Sequence, residues 1–332
     1  MSTSRIGIGL LIATWLGCAP VEPRDADRDG GPASGQDEEE EETGEEDTEP
    51  GDAGAPPADD DDEPAQVSYG PFGEPQVIAA LAAPGYDDDD PTVTGDRLEL
   101  YFDSDRPGGA GMGDIYVSTR PSPSSPWGAP SLVAGINSGS RETTPEVSRD
   151  GLRLHFSSAR PGGLGGLDIY MCTRPNRSSP WSTPVAVTEL NSTANDTSPV
   201  TNGDNTDVIF TSTRDGGDND LYESTRSSPA VTWTAPAPLT AINTPDSETD
   251  PNLSPDGLTL YFAAGPAAQL DIRRTTRPAP GEDFRPPKLL DALNSAANDA
   301  DPWVGSRDRL LLMTSNRSGD DELYEARRVV LR

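Results

Sequence analysis

Apolar positions in this chain fall in short alternating runs. Leu98, Leu100 and Phe102 stand two apart, and the spacing returns as Leu152/Leu154/Phe156, Thr206/Val208/Phe210, Leu258/Leu260/Phe262 and Arg309/Leu311/Met313. A step of two places such residues on one face of a β-strand. No long stretch carries apolar residues at helical spacing. Each run opens seven residues after a proline: Pro91, Pro145, Pro199, Pro251 and Pro302, at spacings of 54, 54, 52 and 51. Five residues after each of the first four prolines comes a turn aspartate, Asp96, Asp150, Asp204 or Asp256. In two copies Asp-Gly follows, a hairpin signal because glycine takes positive φ cheaply.

Further positions keep the same register. Arg106, Arg160, Arg214 and Arg317 follow the first run, with Pro266 in the fourth copy. A glycine-rich stretch leads to a second run that opens on an acid: Asp114, Asp168, Asp220, Asp271 and Glu322. Each of these runs ends at an arginine, namely Arg120, Arg174, Arg226, Arg277 and Arg328. Then come Trp127, Trp181, Trp233 and Phe284, each with a proline three residues on. An aliphatic residue and an asparagine follow: Asn137, Asn191, Asn243 and Asn294. Each copy therefore predicts four short strands, A to D, in about fifty residues. That matches one blade of a β-propeller. The glycine-rich "RPGGLGGLDIY" could suggest a phosphate loop. Such a loop needs a helix after its glycines; here a β-rich run follows and no lysine is present.

The stretches "SPDGLTLYF" and "SSARPGGLGGLDIYMCTR" resemble the WD40-like (TolB-type) propeller repeat of bacterial envelope proteins. The resemblance covers about residues 70–332 and implies an all-β fold with protein–protein contacts in the envelope. The fold carries many roles, so it does not choose among them. TolB is usually described with six blades, but the count here comes from the ends of the chain. Phe72, Pro75 and Leu81 repeat the fourth-element offsets before the first proline, and the fifth copy stops after its third strand near Arg328. The expectation is an all-β, five-bladed β-propeller of four-stranded antiparallel blades over residues 67–332. An N-terminal strand near Val77 would complete the last blade against the strand near Leu323, leaving no large unpaired edge.

Charge and the N-terminus add an address. The net charge is −32. Residues 19–64 hold 20 Asp/Glu against Arg24 and Arg28, with almost no large apolar side chains. Such a segment cannot offset the entropy of ordering, so residues 19–66 read as a disordered acidic tether, extended by self-repulsion. Residues 1–18, "MSTSRIGIGLLIATWLGC", join a basic Arg5 to an apolar run too short to span a bilayer, which reads as an export signal. Leu16-Gly17-Cys18 resembles the end of a bacterial lipobox, with Trp15 where a leucine is usual. The resemblance implies lipidation of Cys18, a membrane anchor and, with Ala19 next, the outer membrane. With Cys18 lipidated, Cys172 has no intrachain partner for a disulfide. The acidic surface repels nucleic acid.

Chemistry is sparse. His155 and Cys172 each stand at a strand position and read as packing residues, and one histidine with one internal cysteine builds no zinc site. Carboxylates are the plentiful type. Asp88, Glu142, Asp196, Glu248 and Asp299 lie three residues before each proline, on the face shared with Arg106, Arg160, Arg214 and Arg317. These are the candidate binding-face residues, and two readings are open. Arg–carboxylate pairs could pin the loops, with Asp114, Asp168 and Asp220 as further partners. Alternatively, a pseudo-symmetric carboxylate ring could bind Ca²⁺ or a cationic ligand. No catalytic residue is assigned. The function expected is a non-enzymatic, monomeric envelope scaffold that binds a protein or glycan through variable loops. The alternatives are a glycan hydrolase or lyase using blade-specific acids such as Glu99, Asp103 and Asp207, and a calcium-dependent adhesin.

Overall fold

The computed structural model describes residues 68–266, 269–305 and 309–331. The export signal, Cys18 and the acidic tether lie outside the described residues. The first described strands are β1 (Ser68–Phe72) and β2 (Gln76–Val77). Four complete blades follow, each with strands A to D in order. Blade 1 holds β3 (Asp88–Val93), β4 (Glu99–Ser104), β5 (Asp114–Thr119) and β6 (Ser131–Leu132). Blade 2 holds β7 (Glu142–Val147), β8 (Arg153–Ser158), β9 (Asp168–Thr173) and β10 (Val185–Ala186). Blade 3 holds β11 (Asp196–Thr201), β12 (Asp207–Ser212), β13 (Asp220–Thr225) and β14 (Ala237–Pro238). Blade 4 holds β15 (Ser247–Leu253), β16 (Thr259–Gly265), β17 (Asp271–Thr276) and β18 (Lys288–Leu289). Blade 5 begins with β19 (Asp299–Val304), β20 (Leu310–Ser315) and β21 (Glu322–Leu331). All pairings are antiparallel, and no helix occurs among the described residues.

Blade 5 is completed by the start of the propeller, as expected. Gln76 pairs with Glu325 and Val77 with Tyr324, while Ile78 N donates to Leu323 O at 2.8 Å. β1 adds pairing that the repeat does not announce, with Ser68 opposite Leu331 and Phe72 opposite Arg328. The fifth blade thus gains a two-stranded extension beyond the fifty-residue unit.

The recurring residues have definite jobs. Strand B is buried on both faces, because each blade is sandwiched between two others. Leu100/Phe102, Leu154/Phe156, Val208/Phe210, Leu260/Phe262 and Leu311/Met313 are all buried in the seams. Each such side chain contributes about 1.5–3 kcal/mol by leaving water. The arginine after strand C lies over the fourth-element aromatic, at 3.9 Å for Arg120–Trp127 and for Arg226–Trp233, and 4.3 Å for Arg174–Trp181. Arg328 does the same to Phe72 at 4.6 Å, so the first aromatic of the propeller serves its last blade. Each asparagine clamps strand C: Asn137 accepts from Ile115 N at 2.8 Å and donates to Ile115 O at 2.9 Å.

Two hairpin expectations need correction. Asp96, Asp150 and Asp256 accept backbone N–H groups two residues on, as turn aspartates do. In blade 3 that work passes from Asp204 to Asn202, which accepts from Thr206 N and Asp207 N. Asp168 does not pair with an arginine; it accepts loop amides from Leu164 at 3.0 Å and Gly165 at 3.1 Å, and Asp114 accepts from Gly111 in the same way. This is why the loop is glycine-rich. A Cβ at Gly163 would sit 1.9 Å from Asp168 Oδ2, and one at Gly165 would sit 1.9 Å from Ala194 O.

Candidate axial cup and ligand funnel

Each inner strand is interrupted at the residue before its proline. The register shifts there in all five blades, between Asp89 and Thr92 in blade 1 and at the matching place in the others. The residue concerned has positive φ every time: Asp90 56°, Thr144 52°, Ser198 49°, Asp250 52° and Asp301 51°. None is a glycine. A left-handed conformation before proline is disfavoured, most of all for a β-branched residue such as Thr144. Bulges of this kind re-aim a side chain. Here the five re-aimed side chains, with the five prolines, line a small axial cavity of about 50 Å³.

Asp90, Asp250 and Asp301 each bring one carboxylate oxygen to within 4.8 Å of the other two. Asp103, buried on β4, lies beside them and accepts from Thr144 N at 3.0 Å. Hydroxyls link the ring. Ser198 Oγ and Thr249 Oγ1 donate to Asp250 at 2.9 Å, and Ser198 N donates to Thr144 Oγ1 at 3.1 Å. Burial and then mutual repulsion hold Asp90 and Asp250 well above the usual carboxylate range. Burial also raises Asp103 and Asp301, and it pushes Asp89 up to about 10 with help from Asp103. Such a cluster must share protons or take a cation, and all-oxygen donors suit a hard one.

On the side of the A–B turns the axis widens into a funnel of about 640 Å³. Its floor is the residue after each proline: Thr92, Glu146, Val200, Asn252 and Trp303. No two are alike. Its wall includes Arg153, Thr201 and Asn202, and its rim the turns around Asp96, Asp150 and Asp204. Glu146 Oε2 lies 3.1 Å from Nδ1 of His155 in its own blade. Burial lowers the proton affinity of His155, and Glu146 partly offsets that. Cys172 is buried and free, with its thiol pushed up to about 12 by burial.

The binding-face candidates lie elsewhere, on the opposite side of the ring. Asp88, Glu142, Asp196, Glu248 and Asp299 are buried, not displayed. Arg106 meets Asp88 at 2.5 Å, Arg160 meets Glu142 at 3.1 Å, Arg214 meets Asp196 at 2.5 Å, and Arg317 pairs with Asp299. Each arginine also donates to the carbonyl of the buried aliphatic residue four positions beyond a D strand, such as Leu190 O for Arg214 at 2.6 Å. They form no carboxylate ring; the close-set acids of the axis stand two residues further on. Among the described residues Glu248 accepts from Thr244 alone, because blade 4 has Ala264 and Pro266 where the other blades have serine and arginine, and burial raises it. Nor are Glu99, Asp103 and Asp207 brought together. Asp103 joins the cup, Glu99 meets Arg174 at 2.5 Å, and Asp207 pairs with Arg277. The missed residues had a signal: Asp-Pro occurs at three of the five anchor prolines.

No family model and no curated protein matches the chain. Solved structures do. A TolB of Agrobacterium tumefaciens is 18% identical over 74% of this chain and 79% of its own, with a TM-score of 0.46. The catalytic domain of a Coprinopsis cinerea GH62 α-L-arabinofuranosidase is 11% identical over 79% of this chain and 98% of its own, with a TM-score of 0.52. An endo-arabinase of Bacteroides thetaiotaomicron is 14% identical over 79% and 98%, with a TM-score of 0.51. At these identities the likeness to the two hydrolases is one of fold alone.

Proposed function

We propose that this propeller is a non-enzymatic binding scaffold of the bacterial envelope, holding a protein or glycan component in the funnel of the A–B turn side. One observation carries the reading. In a framework repeated five times, the residue after each anchor proline differs in every blade, and all five face one funnel. Repetition maintained for structure but abandoned around one cavity is the expected mark of ligand selection. The sequence reading supplies the address: export, lipidation at Cys18 and an acidic spacer before the ring.

The hydrolase reading is less well supported. The acids that converge do so in a cup of about 50 Å³, room for one or two waters at roughly 30 Å³ each and not for a sugar ring. The test is capture from detergent-solubilised envelope with the full chain as bait, beside Trp303→Ala and Asn252→Ala. The wild type is expected to retain a component that both variants lose at least tenfold. Retention unchanged by either variant overturns the funnel, and release of reducing sugar from envelope polysaccharide overturns the non-enzymatic reading.

A further inference from the structure

The seams between blades carry a second, quieter pattern. The arginine ending strand C donates its Nε to a backbone carbonyl of the A–B turn in its own blade: Arg120 to Arg97 O at 2.7 Å, Arg174 to Gly151 O at 2.6 Å, Arg226 to Asn205 O at 2.8 Å and Arg277 to Gly257 O at 2.6 Å. That bond fixes the plane of the guanidinium and aims its far edge at the first residue of strand B in the preceding blade. Where that residue is acidic, the two pair. Glu99 of blade 1 meets Arg174 at 2.5 Å, and Asp207 of blade 3 pairs with Arg277, which also meets Glu223 at 2.5 Å.

Between blades 2 and 3 the acid is replaced by its opposite. The first residue of β8 is Arg153, so Arg226 faces a second arginine. Burial, followed by repulsion from Arg153, lowers the proton affinity of Arg226. Among the described residues Arg153 makes one weak bond, Nη2 to Thr201 Oγ1 at 3.4 Å, and its buried Nε has no partner. A buried guanidinium N–H without an acceptor is costly. Arg153 and Thr201 both line the funnel. Two acids stand near: Glu146 is turned onto His155, and Glu189 acts on Arg226 only at a distance.

We propose that the blade 2–blade 3 seam is an oxyanion subsite, in which Arg153 and Thr201 of the funnel wall receive a carboxylate carried by the ligand, with the charge of Arg226 behind them. The ligand's group takes the place that Glu99 and Asp207 fill in the flanking seams, and a guanidinium fork matches it two bonds at a time. The rest of the funnel fits a saccharide. Trp303 and Asn252 line its floor from adjacent blades, an aromatic ring and an amide side by side. A uronic acid joins the two requirements in one residue. This inference rests on the funnel being the ligand site.

The test uses the full chain and D-glucuronate, with D-glucose and L-glutamate as controls, followed by calorimetry and by tryptophan fluorescence. Trp233 lies 3.9 Å from the Arg226 guanidinium and reports on it. Glucuronate is expected to bind at least tenfold more tightly than glucose or glutamate and to change the fluorescence. Arg153→Asp rebuilds the acid–arginine seam of blades 3 and 4. It is expected to raise the melting temperature while weakening glucuronate at least tenfold; Arg153→Gln should weaken binding without the gain in stability. Glucuronate bound equally by wild type and both variants overturns the subsite, and equal binding of glutamate overturns the saccharide. Trp303→Ala separates the two levels. Glucuronate binding lost with Arg153→Asp but indifferent to Trp303→Ala keeps the anion site and removes the funnel reading. Envelope capture lost with Trp303→Ala, with no glucuronate effect at Arg153, keeps the funnel and overturns the subsite.

Discussion

The two sides of the ring obey opposite rules. On the side of the D–A and B–C connections, four of five blades repeat one device: an arginine, a buried carboxylate, a serine and a backbone carbonyl. On the side of the A–B turns, the framework repeats but the residues facing the axis do not. The first side holds its loops in place with the same contacts in each of those blades. The second has a cavity with five unlike floor residues. In a repeat protein, then, recurrence marks what the fold needs, and its interruption marks what a ligand could select.

The comparison can be broken most forcefully on the repeated side. Asp196→Ala would strand Arg214, Ser212 and the Ser192 amide without their shared acceptor. Removing one partner of such a buried pair is expected to cost about 3–5 kcal/mol, read by urea unfolding. A loss below ~1 kcal/mol would mean that the staple does not hold the loops. Next in size is the axis. Asp90, Asp103, Asp250 and Asp301 bind protons more tightly folded than unfolded. The native state therefore takes up more protons than the unfolded chain above the ordinary carboxylate range, and stability falls as pH rises. The melting temperature is expected to be several degrees higher at pH 5 than at pH 8. His155 opposes this only below its unfolded value near 6.5, because burial keeps it neutral. Millimolar Ca²⁺ should recover part of the loss at pH 8 and add little at pH 5; the absence of any pH trend would refute the crowding of these carboxylates.

Smaller effects sharpen the contrast. Glu248→Gln removes an acid that has no arginine, so its expected cost is under ~1 kcal/mol, well short of Asp196→Ala. A cost like that of Asp196→Ala would show that the staple's arginine is dispensable. Trp303→Ala falls between these two, with an expected cost of about 1–2 kcal/mol, because its ring packs against the core but stays partly exposed. A larger loss would make Trp303 a core residue and weaken its claim to the ligand.

Most of the fold was legible because its signals are local and fivefold. Alternation gives the strands, proline spacing gives the blade, and Phe72 and Leu81 standing before the first proline give the closure. The arginine–carboxylate pairs were legible too, as two recurring residue types on one face. The axial cup was not. Its members are chosen by a left-handed kink before proline, and propensity argues against that conformation for Asp90 or Thr144. Only the ring as a whole over-determines it. The Arg153 seam was hidden differently. It consists of an exception, and an exception has meaning only once neighbouring seams show what normally stands there.

The closure between β2 and β21 has a consequence for how the molecule comes into being. Gln76 and its mate Glu325 are separated by almost the whole propeller. Synthesis releases the first strand long before the last, so four blades can assemble while one segment waits without a mate. Contacts of such long range form late and slowly. The ten residues of β21 (Glu322–Leu331) therefore act as the latch of the ring. A chain that stops short of Leu323 would leave both Phe72 and the fifth blade open to the solvent, with strand edges bare to any neighbour.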